Sequence, residues 1–346
     1  MQNVRKKNGT IEISRFVAII LIMAHHTYHM GLGFSNPFKL AWIFVEFFFV
    51  LSGYFTVKHF RSREDSITNP GKKALGYTLN KFKPFIPFII IAVLIEYFCI
   101  FKNNGISLKF GISLINDMPF EIGFLSTASS TEVPAVAPLW YLSAMFLVFP
   151  LFCLFIQIKN KYLFYFVSFL APVLYYGAFG VSGKWEYPHY LLRTTASLLL
   201  GGVVYGIVES FKKVELKPIT TVIVHLVNIG CIVSVIGLTY TNIEANRFIL
   251  LAFILYLINV LSGRCILNST SNPVITFIGK ITMPMFLFHW PIGSLINIAI
   301  PNAGGKLKLI VYYAGTIILS IVLYFVINAC KKLPIFQKKF WIKEKI

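Results

Sequence analysis

Residues 13–31 read ISRFVAIILIMAHHTYHMG, and this stretch decides the fold class. A helix rises about 1.5 Å per residue, so about 18 mostly apolar residues cross the ~30 Å hydrocarbon core of a bilayer. From Phe16 to Ala24 every side chain is apolar. That suits a segment enclosed all round by lipid and protein rather than one with a solvated face. Polar chemistry is confined to the two ends, with Arg15 at one and His25, His26 and His29 at the other.

Comparable runs recur along the chain. About ten candidate spans lie at roughly 13–31, 40–57, 85–101, 138–157, 162–180, 190–208, 219–239, 245–263, 273–300 and 307–330. Of the 346 residues 57% are hydrophobic and only 13% charged, where a soluble domain carries about a quarter charged to solvate its surface. A soluble enzyme is thereby excluded. The fold class is an all-α polytopic membrane bundle of about ten helices, expected to be a single integral membrane domain over 1–346 with no appended soluble domain. Pro284 and Pro291 predict that the ninth span is kinked or broken. The two sizeable connections, about 58–84 and about 102–137, read as loops, the second carrying Asp117, Glu121 and Glu132. No small-x-small cleavage site follows the first apolar run, so that span is expected to stay uncleaved. Cys99, Cys153, Cys231, Cys265 and Cys330 have no metal or redox spacing and read as apolar packing.

The chain carries 32 Lys+Arg against 13 Asp+Glu, a formal charge of +19. In a soluble protein that excess points to nucleic acid. Here the cations cluster at Arg5-Lys6-Lys7, between Lys58 and Lys83, at Lys159 and Lys161, at Lys212, Lys213 and Lys217, at Arg264, and from Lys331 to Lys345. Alternating spans put all of these on one side, which the positive-inside rule assigns to the cytoplasm, with both termini there and the chain in the cell membrane. Topology accounts for the charge, and neither nucleic acid nor a metal is expected as a partner.

Ionisable groups at membrane depth are costly, so each is a functional candidate, the plain alternatives being a packing hydrogen bond or a snorkelling side chain. They are Glu12, Arg15, His25, His26, His29, Glu46, Glu96, Arg193, His225, Lys280 and His289. Arg15 and His26 are separated by about three helical turns and a rise of about 16 Å, and they face the same way. A cation at one end and an imidazole at the other suit a long anionic ligand laid along the helix, as coenzyme A is, with phosphates at one end and a thioester at the tip. The next span returns antiparallel, bringing Glu46 back near the depth of His26, where a carboxylate would orient the imidazole. Ser52-Gly53-Tyr54 returns near the level of Arg15, with two hydroxyls and a glycine that permits close backbone approach.

Four segments, in order, resemble acyltransferase family 3, the integral membrane acyltransferases. Arg15 through His26 is similar to its Arg-x10-His element, and Glu46-Phe47-Phe48-Phe49-Val50-Leu51-Ser52-Gly53-Tyr54 to its acidic-Phe-Phe-x-x-Ser-Gly-aromatic element. Pro138-Leu139-Trp140-Tyr141-Leu142 resembles the opening of its middle helix. Gly279-Lys280-Ile281 with Met285-Phe286-Leu287-Phe288-His289 resembles its late Gly-Lys-Ile and aromatic-Leu-x-His segment.

The resemblance implies a ten-helix domain that takes acetyl-coenzyme A (acetyl-CoA) from the cytoplasm and acylates a hydroxyl, usually on a cell-envelope glycan, free or lipid-linked. It implies His26 as the catalytic histidine and Arg15 as a donor-binding residue. Beside them, Glu46 is the expected orienter of His26. Ser52, Gly53, Tyr54 and Lys280 are candidates on the donor side. His29, Trp140, Arg193 and His289 are further candidates, with Tyr54, Trp140 and His289 the options for an oxyanion donor. The chain departs from the pattern at Lys81-Phe82-Lys83-Pro84, where Pro stands in place of the usual Arg, so Lys81 and Lys83 become the candidate phosphate contacts. Direct attack by the hydroxyl and a transient acyl-histidine both remain open. The rival is a transporter or flippase for an envelope glycan or lipid-linked precursor. Against it, the chain shows no inverted repeat and its intramembrane charges crowd into the first two spans.

Overall fold

A computed structural model describes residues 8–32, 38–62, 69–105, 108–128, 135–182, 188–265 and 272–332. Arg5, Lys6, Lys7, Glu132 and the basic residues beyond Lys332 lie outside the described residues. The described residues form helices and no strand: α1 Gly9–His29, α2 Phe44–Arg61, α3 Pro70–Phe82, α4 Ile86–Asn104, α5 Leu108–Ile122, α6 Leu139–Ile156, α7 Lys161–Phe179, α8 His189–Phe211, α9 Pro218–Thr241, α10 Asn246–Leu261, α11 Pro273–Ala299 and α12 Gly305–Cys330. A 3-10 turn, Lys39–Ile43, leads into α2, and another, Lys83–Phe85, joins α3 to α4. Asparagine side chains cap the first turns of α1, α3, α7 and α11, each accepting from backbone amides that have no helical partner.

Among the described residues, nine helical segments are long and apolar enough to cross a membrane. The remaining expected span, the eighth at about 245–263, is α10, whose 16 residues reach about 24 Å, short of the ~30 Å core. The protein is a multi-pass helical membrane bundle.

Three expectations are corrected. Helix α11 is continuous through both Pro284 and Pro291 rather than broken, because proline's fixed φ is helical and packed neighbours accommodate the freed carbonyls. The loop expected at 58–84 contains the end of α2 and all of α3, whose Ala74, Thr78 and Phe82, spaced four apart, make a stripe buried against α6 while lysines fill other positions. The loop expected at 102–137 contains α5.

Two helices act as hubs. Helix α8 packs against α2, α6, α7 and α10, and α11 packs against α1, α4 and α12. The α2–α8 contact is made by glycines on both sides. A Cβ on Gly53 would strike the Leu198 carbonyl, and one on Gly201 the Val50 carbonyl. Both obstacles are backbone, so neither can swing aside. Gly201→Ala is expected to cost about 1–3 kcal/mol through overpacking, read as a lower thermal midpoint of the purified protein in detergent.

Candidate active site

Packing of α1 on α11 joins two histidines far apart in sequence. His289 Nε2 and His26 Nδ1 lie 2.9 Å apart, and their rings stack with centroids 5.0 Å apart and planes 21° apart. His289 is fully buried, and Trp290 meets the His26 ring edge-on at 5.5 Å. With its Nδ1 so engaged, His26 makes no hydrogen bond through Nε2 among the described residues. The ring of His25 lies 5.0 Å from that of His26, and the exposed His29 lies 6.3 Å away.

The far end of α1 is anchored. Asn297 Nδ2 donates to the Met30 carbonyl at 2.6 Å, Lys308 Nζ donates to Asn297 Oδ1 at 3.4 Å, and Tyr312 donates to the Met23 carbonyl at 3.3 Å. Gly293 leaves room for the Met30 side chain, which would collide with a Cβ there.

Glu46 does not orient His26. Its carboxylate turns to α8, where Arg193 Nε binds one oxygen while Ser197 Oγ and the Tyr176 hydroxyl (3.0 Å) donate to the other. The cause is helical register. Glu46, Val50, Gly53 and Val57 form one face of α2, and Arg193, Ser197 and Gly201, spaced four apart, form the matching face of α8. A fully buried carboxylate requires a countercharge, which Arg193 supplies and a neutral imidazole would not. The i, i+4, i+8 spacing of Arg193, Ser197 and Gly201 puts them on one face in the sequence, without marking which carboxylate that face meets. Nothing local marked Tyr176. The Arg193 guanidinium lies between two indoles, 5.2 Å from the Trp42 ring and 5.3 Å from Trp140. Trp140 therefore faces Arg193.

Toward the N-terminal end of α1, Arg15 Nη1 pairs with Glu12 Oε2 at 2.9 Å. Gly279 explains itself here, since a Cβ would collide with the Glu12 carboxylate. Arg15 lies at a narrow crevice also lined by Ile19, Val45, Phe48, Tyr141, Thr282, Met283 and Phe286. The crevice holds only about 10 Å³, and its Phe286 ring is 5.9 Å from His289 and 5.5 Å from Tyr141. Lys81 Nζ lies 4.3 Å over the Phe149 ring, within electrostatic reach of Arg15. Ser52 faces Tyr141. Lys83 occupies the turn between α3 and α4, and Lys280 is exposed on α11. Gly53 and Tyr54 belong instead to the interior of the α2–α8 contact, Tyr54 being fully buried with its ring 5.9 Å from Tyr205. Of the three expected oxyanion donors, His289 is the one bonded to His26.

Outside the spanning helices, Glu121 at the end of α5 accepts from the Ala135 amide at 2.8 Å. Burial pushes its carboxyl up to about 7, against the opposing pull of backbone amides at Ala135 and Val136. The folded form therefore holds the proton to higher pH than the unfolded chain. This contribution to stability is complete below the ordinary carboxylate range and is lost as pH rises through about 7. The thermal midpoint of the purified protein in detergent should fall as pH rises from 5 to 8, and Glu121→Gln should flatten that dependence.

The model of the acyltransferase domain that defines acyltransferase family 3 matches residues 8–328 of this chain. A search of the curated proteins and one of the solved structures return no match.

Proposed function

Because the chain belongs to acyltransferase family 3, we propose that this membrane acyltransferase moves an acetyl group from cytoplasmic acetyl-CoA to a hydroxyl of a cell-surface polysaccharide or its lipid-linked precursor. The observation that carries the mechanism is the His26–His289 pair. With the proton on His26 Nδ1, His289 Nε2 accepts it, and His26 Nε2 presents its lone pair as a general base. His26 takes the proton of the acceptor hydroxyl as that oxygen bonds to the thioester carbonyl carbon. The tetrahedral intermediate then collapses, the C–S bond breaks, and the imidazolium returns its proton to the departing thiolate. His289 replaces Glu46 as the residue that orients the base, while Glu46 and Arg193 hold α2 against α8.

The nearness of Lys81 to Arg15 supports donor entry from the basic side, with both as cations for its phosphates. The basic rim then faces the cytoplasm, with both termini on that side. Membership of an acyltransferase family sets the transport alternative aside. The test is deletion of the gene in its native host, followed by proton NMR of the envelope polysaccharides. One O-acetyl resonance should disappear and return on complementation; unchanged spectra would overturn the glycan acceptor.

A further inference from the structure

The opposite side of α1 carries a second feature that the reaction does not use. Thr10, Ser14, Val17 and Leu21 line a groove that α9, α10 and the outer end of α2 complete. Its volume is about 510 Å³, and its walls are apolar apart from Thr10 and the Ser14–Tyr256 hydroxyl pair, both toward the N-terminal end of α1. Ile13 and Val17 on α1 and Ile236 on α9 are exposed at its lips, whereas Ala18, Val235 and Phe253 are buried on its floor. The groove is thus continuous with the outer, apolar faces of membrane-spanning helices, which are lipid-facing in a bilayer.

We infer that this groove holds one acyl chain of a phospholipid from the leaflet on the basic side of the protein. Two observations select that occupant. Along α1 the groove runs from Thr10 to Leu21, about 16 Å, and a single leaflet of a ~30 Å core is about 15 Å deep. Its polar end lies at the N-terminus of α1, on the side where the Lys and Arg clusters gather, so a chain entering there leaves its headgroup among cations.

The bound chain packs on α1 across from Arg15. It completes the walls around the helix that carries His26 on the side of Ile13 and Val17, which protein leaves exposed.

The test uses the full chain reconstituted in nanodiscs made only of palmitoyl-oleoyl phosphatidylglycerol, extracted in mild detergent and weighed by native mass spectrometry. One retained phospholipid per chain is expected. Val17→Trp and Val235→Phe, which fill the groove from lip and floor, should each lower that retention at least tenfold in protein that remains monodisperse. Wild-type protein that retains no phospholipid overturns the inference whatever the variants do. So does equal retention in both variants, which would place the lipid elsewhere. Nanodiscs doped with a polyprenyl phosphate separate the sources, because retention of that lipid alone, or of a second copy of the chain, also overturns it.

Discussion

His26→Ala is expected to lower acyl transfer about 10²–10⁴-fold at matched protein level, the range that a positioned general base contributes. The expectation rests on His26 Nε2, whose lone pair has no partner among the described residues while its other nitrogen is committed to His289. His26 sits in a helix whose ends are tied independently, through Asn8–Val260 and Ser14–Tyr256 at one and Asn297–Met30 at the other, so the truncation should leave the fold intact. A thermal midpoint within a few degrees of wild type would establish that. His289→Gln should give a smaller loss, because it keeps an oxygen acceptor for His26 Nδ1 while removing the imidazole. Transfer at wild-type rates by His26→Ala would remove His26 from the chemistry altogether.

The second large effect is on stability. Glu46→Ala should destabilise the protein by about 3–5 kcal/mol, because it strands the Arg193 guanidinium, 2% exposed, without its countercharge. The double substitution Glu46→Leu with Arg193→Met removes both charges and should recover most of that loss. Thermal unfolding in detergent measures both. The double variant also discriminates between roles. If Glu46 only holds α2 against α8, acyl transfer should follow recovered stability. If Glu46 acts in the reaction, transfer should stay lost in a stable protein.

How much of this was legible in advance depends on the range of each interaction. The spans were legible because the bilayer acts on every residue of a run: 138–157 and 162–180 were read where α6 and α7 stand at Leu139–Ile156 and Lys161–Phe179. Helix α3 was hidden because its buried stripe is three residues wide and sits among lysines, so average polarity masked a four-residue period. Helix α10 was read as an ordinary span although its 16 residues fall short of one, since loop-like flanks blur helix ends.

The candidate site divides along the same line. Arg15 and His26 were legible because both belong to one helix, whose geometry relates their directions and separation before anything else folds. Glu46 was recognisable as a costly buried charge, but its partner was not. Depth alone placed it near His26, whereas its direction depends on which neighbour covers its face of α2.

By itself, then, the sequence determined the membrane class, the approximate extent of most spans, and the residues whose burial needed a reason. Those follow from local composition and from the period of a single helix. Which charge meets which was decided only by tertiary structure. Helix–helix approach set by Gly53 and Gly201 delivers Arg193 to Glu46, and α11, unbroken through two prolines, delivers His289 to His26. A single chain segment carries no record of its neighbour's rotation, and that rotation decides which pair forms the candidate catalytic centre.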